Sequence, residues 1–577
     1  MRMCRVALAQ FDPTVGDLEG NVAKIRRLVG EARAAGAAIV AFPELAVTGY
    51  PPEDLLLRRA FCAASRHALD SLVDATQGII AIVGFVDWDG DAHDAAAVIA
   101  DGKLVDVYHK RRLWNYGVSD EERYFGAGRR TPVYRARDFT FSVSICEDIW
   151  YPGLPLDAMA LGGAELNVNI SASPYYRGRI EDRTRLLATR ASDNLIALAY
   201  VNAVGGQDEL VFDGASLAFD AEGRLLARAR QFEEELMVVD FDLDAVVQRR
   251  LHDIRRRVEI RDRDGALPIE TLDVDFAGTS DAATVPTGNV APLMEAEQEV
   301  WSALVLATRD YLGKTGFREA VISLSGGIDS SVVAAIAVDA IGAENVIGVA
   351  MPSRYSSGHS VTDAEQLAKN LGIRYFSIPI EPAHKAMLEM LAGPFEGTEP
   401  GTAEENLQAR QRGNVLMTLS NKFGWIALTT GNKSEMATGY ATLYGDMAGG
   451  YAVIKDVPKT LVFRIAAWRN RNAGRDLIPE SVLTKPPSAE LRPDQFDADS
   501  LPAYDILDPI LEAYVEDDRT PDEIIAMGFG PEVVHRVAGM VDRNEYKRRQ
   551  APPGVKITPR AFGRDRRFPL AARYGSS

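Results

Sequence analysis

From Val321 to Ser331 the chain reads Val-Ile-Ser-Leu-Ser-Gly-Gly-Ile-Asp-Ser-Ser. An apolar strand pattern stops at Ser-Gly-Gly. It then resumes at helical spacing, with Val332, Ile336 and Ala340 on one face. A strand that feeds a helix through two glycines lets its backbone approach a polyanion closely. Ser330 and Ser331 stand where the hydroxyls and free N–H groups of a helix N-terminus would meet that ligand. Asp329 adds a carboxylate able to hold a metal ion that bridges phosphates. No lysine follows the glycines, so the turn lacks the Gly-Lys-Ser/Thr closure that grips a transferred γ-phosphate. The turn suits the pyrophosphate of ATP instead.

The chain has 577 residues, too many for one core, which implies roughly two to four domains. Its composition, 46% hydrophobic and 25% charged, is that of a globular protein. A formal net charge of −18 argues against a general nucleic-acid or anionic-membrane binder. Cys4, Cys62 and Cys146 are the only cysteines, too few and too scattered for a disulfide framework or a zinc site. No leader-like apolar segment opens the sequence, and no apolar run is long enough to span a bilayer. The expectation is a cytoplasmic protein.

Strand-like runs at residues 6–9, 38–42, 79–85, 141–146, 165–170 and 195–201 alternate with helical stretches at 21–35 and 183–192. This rhythm predicts a layered α/β domain over residues 1–265. Residues 266–294 are turn-rich and poor in periodic apolar positions, and are read as a linker. From 295 to 577 a helix precedes the strand at 321, and further strands are expected at 346–350, 374–378 and 425–428. That is the pattern of a doubly wound parallel sheet. The basic run after Lys547 has the composition of a solvated face.

Three residues of the first half follow predicted strands: Glu44 in Phe-Pro-Glu-Leu, Lys110 in Tyr-His-Lys-Arg-Arg, and Cys146 in Cys-Glu-Asp-Ile-Trp. Taken singly, each has a plainer reading as a surface charge, a solvated basic cluster or a structural cysteine. Together they make a coherent device. Glu44 accepts the thiol proton, Lys110 holds the thiolate and an oxyanion, and Cys146 is the nucleophile. These motifs resemble the nitrilase superfamily, whose carbon–nitrogen hydrolases carry a Glu-Lys-Cys triad. Asn115-Tyr-Gly-Val and Asp120-Glu-Glu-Arg-Tyr-Phe125 are closer still to its glutaminase branch. The resemblance implies a four-layer αββα sandwich, with Glu121 as an additional active-site acid. It also implies that Tyr116, Ser173 and Arg179 line a glutamine pocket. Arg179 suits a carboxylate, which its planar fork binds in bidentate fashion. Trp114 departs from the pattern, since many relatives have proline there.

In the second half, SGGIDSS resembles the PP-loop of the ATP pyrophosphatases. With ENLQAR, TTGNKSE, YGDMAGGY and DVPKT it resembles the NAD⁺ synthetases of the glutamine-dependent kind. The resemblance covers nearly the whole chain. It implies a Rossmann-like PP-loop domain in which Ser323, Leu324, Ser325, Gly326, Gly327, Ile328, Asp329, Ser330, Thr430, Lys459 and Ser488 contact ATP. Asp329 and Glu435 would bind Mg²⁺. Asn406, Glu435, Leu443 and Lys547 would lie on the deamido-NAD site, so Glu435 carries two implied roles. The implied reaction adenylates the nicotinate carboxylate and amidates it with ammonia freed from glutamine and passed between the domains. A homo-oligomer is implied as well, octameric in related proteins, with no nucleic-acid or membrane partner. Two rivals are a PP-loop enzyme that amidates a nucleotide base and a non-catalytic dinucleotide-binding protein. The nitrilase-like half argues against the first, and the complete set Glu44, Lys110, Cys146, Asp329 and Glu435 against the second.

Overall fold

The apolar runs of the first half build two sheets that are covered on both faces. In the computed structural model, which describes residues 2–262, 269–276, 288–492 and 495–572, the chain divides into two units. One comprises Met1–Gln207 and Phe212–Met294, the other Asp208–Val211 and Glu295–Ser577.

One sheet of the first unit has the strand order Glu235–Asp242, Met3–Gln10, Ile39–Ala41, Ile80–Trp88, Ala92–Ala100, Lys103–His109. The other runs Leu225–Arg228, Leu217–Phe219, Ala197–Asn202, Leu166–Ser171, Thr140–Ile145, Thr131–Arg135, Ile269–Asp273. Period-2 alternation decides what each face buries. Val6, Leu8, Ile80 and Ile82 join Phe141, Val143, Val168 and Ile170 in a core between the sheets. Ala7, Ala9, Ala81 and Val83 face outward and pack on Ile25, Leu28, Val29 and Ala32 of the helix Leu18–Ala34. That helix starts at Asp17, whose carboxylate accepts from the N–H of Gly20. On the far face of the second sheet, Ile180, Leu187 and Ala191 of the helix Arg179–Asn194 pack against Leu198, Tyr200 and Leu217. Each fully buried large aliphatic side chain contributes about 1.5–3 kcal/mol, so these stripes far outweigh helix propensity in fixing four layers, helix–sheet–sheet–helix.

Two elements differ from a propensity reading. Ala92–Ala100 is alanine-rich yet forms a central strand, paired along its length with Ile80–Trp88 and with Lys103–His109. Its small side chains alternate between the two cores, and tertiary packing overrides the intrinsic preference. Within the segment read as a linker, Ile269–Asp273 is an edge strand parallel to Thr131–Arg135. Residues 263–268 and 277–287 of that region lie outside the described residues.

The second unit holds a parallel sheet in the order Arg374–Ser377, Val346–Ala350, Ala320–Ser323, Ile426–Thr429, Tyr451–Ala452. The chain winds outward one way from the central strand, then crosses to build the other side. The strand order therefore reverses between Ala320–Ser323 and Ile426–Thr429, and the loops leaving these two strands part there to open a crevice. Leu416 of the helix Thr402–Phe423 covers Val321, Ile347 and Ala427 on one face. A separate helical cluster forms around Leu507, Ile510, Val534, Val537 and Val541. The basic run after Lys547 is not wholly solvated. Arg548 is buried and donates to the carbonyls of Met436, Ala437 and Val541, in the last turns of their helices, where carbonyls have no donor further along the helix. Among the described residues no helix is long and apolar enough to cross a membrane.

Arg183 is fully buried and holds Asp213 through two 3.0 Å hydrogen bonds. It also reaches the carbonyl of Ser173. Replacing it with methionine strands a buried carboxylate, so Arg183→Met should destabilise the first unit by about 3–5 kcal/mol. Calorimetry of the full chain would then show a lowered transition. An unchanged Tm would refute the structural weight given to this pair.

Candidate active sites

In the first unit, Glu44, Lys110 and Cys146 each follow the C-terminal end of a strand: Ile39–Ala41, Lys103–His109 and Thr140–Ile145. Lys110 is fully buried, and its ammonium donates to Glu44 Oε1 at 2.5 Å and to Glu121 Oε1 at 2.8 Å. Asp94 Oδ2 lies 3.4 Å from the same nitrogen. The second oxygen of Glu44 accepts from the N–H of Ala172 at 2.8 Å, and Glu121 also accepts from Tyr50 OH and from the N–H of Trp114. A proline at 114 would lack that donor. Gly84 makes room for Glu44, since a Cβ there would lie 2.3 Å from the carbonyl of Pro43.

Cys146 sits on an elbow with φ +40°, an uncommon conformation for a residue with a side chain. Asp148 pins this elbow. One of its oxygens accepts from the N–H groups of Arg111 and Arg112, the other from Tyr108 OH and the N–H of Ile145. The strand end that carries Lys110 is thereby stapled to the one that carries Cys146. In the sequence Asp148 has no distinguishing signal beyond being a second acid right after an apolar strand.

Burial pushes the Cys146 thiol well up, and the charge of Glu44 adds to this while that of Lys110 opposes it. Burial pulls the Lys110 ammonium down, but Glu121, Glu44 and Asp94 together outweigh it and leave it raised. The thiol therefore stays protonated at rest and needs an adjacent base on attack. Tyr116 donates to Glu147, beside Cys146, at 2.9 Å, and its ring is packed edge-on by Trp114. Arg179 stacks on Trp150 with 3.9 Å between its guanidinium carbon and the ring centroid, and it donates to Tyr176 OH. The charge of Arg179 is felt at both Glu147 and Tyr116. Ser173 is buried with its hydroxyl unpaired, one residue beyond the N–H that holds Glu44. Tyr116, Ser173 and Arg179 thus gather around the Cys146 elbow.

In the second unit the Ser-Gly-Gly turn sits at the reversal of strand order. Ser323 ends its strand, Leu324 is buried below it, and Ile328 opens the helix Ile328–Ile341. Gly326 has φ +73°, and a Cβ there would meet the carbonyl of Ser360 at 2.1 Å, so only glycine fits. The hydroxyls of Ser330 and Ser331 bond back to the carbonyl of Gly327, and Ser325 bonds across to Ser330. No side chain caps this helix, and its first N–H groups face the turn. Across the crevice, Thr430 follows Ile426–Thr429, and the helix Lys433–Thr438 carries Glu435. Lys459 reaches both acids of the site, Asp329 Oδ2 at 2.5 Å and Glu435 Oε1 at 3.3 Å, while Asn432 holds the other oxygen of Asp329.

A cation between two carboxylates is what this donor set requires, and the Lys459 ammonium stands there now. The pair fits a hard divalent ion such as Mg²⁺. Burial pulls Lys459 down, but Asp329 and Glu435 more than offset it and leave it raised. Burial also pushes Glu435 up to about 8, with Lys459 opposing and Asp329 and Asp497 adding to the rise. Ser488 lies in a loop tied by Glu490 to Ser357 and Ser360, the latter being the residue against Gly326. Asn406, Leu443 and Lys547 gather around residues 439–446. Asn406 accepts from Thr442, Leu443 accepts from Arg410, and Lys547 donates to the carbonyls of Gly439 and Ala441. Glu435 connects the two groups, because its carboxylate faces Asp329 and its short helix runs into that loop.

The carbon–nitrogen hydrolase family matches residues 5–251, and the NAD synthase family matches residues 300–551. The chain is 50% identical over 577 residues to a glutamine-dependent NAD(+) synthetase of Thermotoga maritima, covering all of this chain and 99% of that protein. It is 46% identical to one of Aquifex aeolicus, over 99% of this chain and 100% of that protein. Among solved structures it is similar to a glutamine-dependent NAD+ synthetase of Acinetobacter baumannii in complex with ADP, at 40% identity, TM-score 0.75 and full coverage of both chains.

Glu435 gives a pH test. Its pKa rises from 4.5 in the free side chain to about 8 in the fold, so the native state holds this proton more tightly than the unfolded chain does. Ligand-free stability should therefore fall as pH rises through that window. Glu435→Gln cannot titrate there, and above the window it should exceed the parent chain by about 1 kcal/mol or more. Thermal unfolding against pH decides it, and two parallel curves would contradict the assignment.

Proposed function

The chain belongs to the glutamine-dependent NAD(+) synthetases, ATP-dependent carbon–nitrogen ligases with a nitrilase-like glutaminase domain and an NAD synthase domain, and on that premise we propose how its residues divide the reaction. Residues 1–265 hydrolyse glutamine, and residues 295–577 activate and amidate deamido-NAD. The observation that carries this reading is the buried Lys110 ammonium shared by Glu44 and Glu121 next to the Cys146 elbow.

Arg179 orients the α-carboxylate of glutamine, with Tyr116 and Ser173 lining the pocket. Cys146 Sγ attacks the δ-amide carbon as its proton passes to Glu44. Lys110 and its polar surroundings hold the negative charge that develops on the amide oxygen. The C–N bond breaks, the proton on Glu44 leaves with ammonia, and the thioester is hydrolysed by water to glutamate. Glu121 keeps the Lys110 ammonium aligned through these steps.

In the other half the nicotinate carboxylate of deamido-NAD attacks the α-phosphorus of ATP, and pyrophosphate leaves. The Ser325–Ser330 turn and the helix N-terminus receive the pyrophosphate, with Thr430, Ser488 and Lys459 as further contacts. Asp329 and Glu435 would hold Mg²⁺, which supplies positive charge to the phosphates when bound. Asn406, Leu443, Glu435 and Lys547 orient the dinucleotide. AMP is a far better leaving group than oxide, so ammonia can then displace it to give NAD⁺. Free ammonia is mostly protonated at neutral pH, so we infer that the ammonia released at Cys146 is passed on without equilibrating with solvent. The sequence resemblance supports a cytoplasmic homo-oligomer.

Cys146→Ala should lower glutamine-driven synthesis of NAD⁺ and AMP by at least about a thousandfold. Synthesis driven by added ammonium should remain within a few-fold of the parent chain. Both are read by product chromatography after incubation with ATP, Mg²⁺ and deamido-NAD. Loss of the ammonia-driven reaction as well would break this division of labour, and glutamine hydrolysis without AMP formation would point to a stand-alone amidase.

A further inference from the structure

Three carboxylates surround one ammonium in the first site, and their hydrogen bonds are distributed unequally. Glu121 accepts from Lys110 at 2.8 Å, from Tyr50 OH at 2.9 Å and from the N–H of Trp114 at 2.8 Å. Glu44 accepts from Lys110 at 2.5 Å and from the N–H of Ala172 at 2.8 Å. Asp94 accepts nothing through its side chain. Both of its oxygens are buried without a hydrogen-bond partner, and Lys110 Nζ lies 3.4 Å away out of alignment. Its backbone carbonyl accepts from the N–H of Lys110 at 2.8 Å. Yet the oxygens of Glu44, Asp94 and Glu121 all lie within 4.8 Å of one another.

A buried carboxylate is stable as an anion only when donors replace the water it has lost. Glu121 with three donors and Glu44 with two meet that condition, and Asp94 does not. Three negative charges against one positive would also leave the pocket with an uncompensated excess, where a shared proton removes one charge. We propose that Asp94 is a neutral carboxylic acid in the resting enzyme, its O–H held against the Glu44 carboxylate, and that it acts as a positioning residue for the base that serves Cys146. The proposal rests on the reading of Cys146 as the hydrolytic nucleophile.

The groups that face Asp94 are consistent with this. Glu44 follows Ile39–Ala41, two strands away in the same sheet, and Lys110 follows the adjacent strand Lys103–His109; Glu121 comes from the short turn Glu121–Arg123 with Tyr50 bonded to it, and the Cys146 elbow comes from the second sheet. On its own strand, His93 alternates to the opposite face, where it stacks on His109 and pairs with Asp89. Burial and the Glu44 charge both push the Asp94 carboxyl well above its usual range, with Lys110 opposing. The proton of Asp94 is not consumed in hydrolysis. Cys146 gives its own proton to Glu44, and that proton leaves on ammonia, while the Asp94 proton keeps Glu44 oriented and holds down the negative charge of the pocket. Once Asp94 ionises, thiolate and oxyanion formation both meet a second uncompensated carboxylate, and hydrolysis slows.

The test uses the full chain with carboxyl-13C-labelled aspartate and infrared difference spectra of the parent against Asp94→Asn above neutral pH. A protonated-aspartate C=O band present in the parent and lost in the variant is expected. The alkaline limb of glutaminase kcat/KM, followed as glutamate release, should move upward in the variant by about one pH unit or more, because the amide cannot ionise. A merely structural side chain would leave that limb in place. Absence of the band, or an unmoved limb, overturns the proposal. Should the variant fail to fold, the labelled parent alone decides: no protonated aspartate means that Asp94 is ionised. A chain that hydrolyses no glutamine at any pH would refute the functional reading, while the band would still report the state of Asp94.

Discussion

At each candidate site a lysine ammonium is buried among carboxylates, Lys110 in the first unit and Lys459 in the second, and the geometry of the site follows from satisfying that charge. Removing an ion from water costs several kcal/mol even after relaxation, and only close, well-oriented partners offset it. Lys110 has Glu44 and Glu121 at hydrogen-bond distance, and Lys459 has Asp329 and Glu435. These partners come from separate segments that follow different strands, so the charge can be satisfied only if several strand ends are held in register. The sheets set that register, and the lysines make it energetically costly to lose. The Asp148 staple serves the same end, since its four hydrogen bonds join the chain around Lys110 to the chain around Cys146.

Both sites also depend on close backbone approaches and on conformations that most residues avoid. Cys146 at φ +40° and Leu45 at φ +49° are held in sparsely populated regions, each costing on the order of 1–3 kcal/mol that the surrounding packing must offset. The return is that the Sγ of Cys146 and the carboxylate of Glu44 project from strand ends into the pocket rather than along the sheet. At the second site the same task falls to Gly326, which brings the turn against Ser360 and leaves the helix N–H groups facing the crevice.

Local sequence signals carried much of this. The Ser-Gly-Gly turn is legible because a strand, two glycines and a helix occur within one short run, and each has its own periodicity or propensity. Glu44 and Cys146 are legible as strand-end residues, since the apolar runs before them are unambiguous, whereas Lys110 follows the mixed run Lys-Leu-Val-Asp-Val-Tyr-His. What could not be read depends on contacts between distant segments. Ala92–Ala100 has the composition of a helix and becomes a strand only because two neighbours pair with it. Ile269–Asp273 lies among turn residues and becomes a strand only at the free edge beside Thr131–Arg135. Asp94 is invisible for a related reason. It sits in that strand, which local sequence does not announce, and nothing next to it in the chain foretells Glu44, Lys110 and Glu121 around it. Arg548, in a run that reads as solvated, is buried because the carbonyls of a helix far earlier in the chain need donors.

The two lysine sites differ in one respect that separates their chemistry. Around Lys110 the side chains of Glu44 and Asp94 are fully buried and Glu121 is 4% exposed, so an ion must shed its water to reach them, and a proton adjusts the charge at lower cost. Around Lys459 the side chains of Asp329 and Glu435 each keep 17% of their surface open, so an arriving cation can take over the place the ammonium now fills. A closed, proton-balanced pocket suits acyl transfer through a thiol, where charge appears and vanishes on one oxygen and one sulfur. An open pocket with an exchangeable cation suits phosphate chemistry, where the substrate brings several negative charges of its own. On the proposed assignment of Lys459 to ATP, the substrate phosphates would offer its ammonium partners other than Asp329 and Glu435. Lys110 is enclosed by Glu44, Glu121 and Asp94, and on the proposed mechanism it would keep that place while charge develops on the substrate.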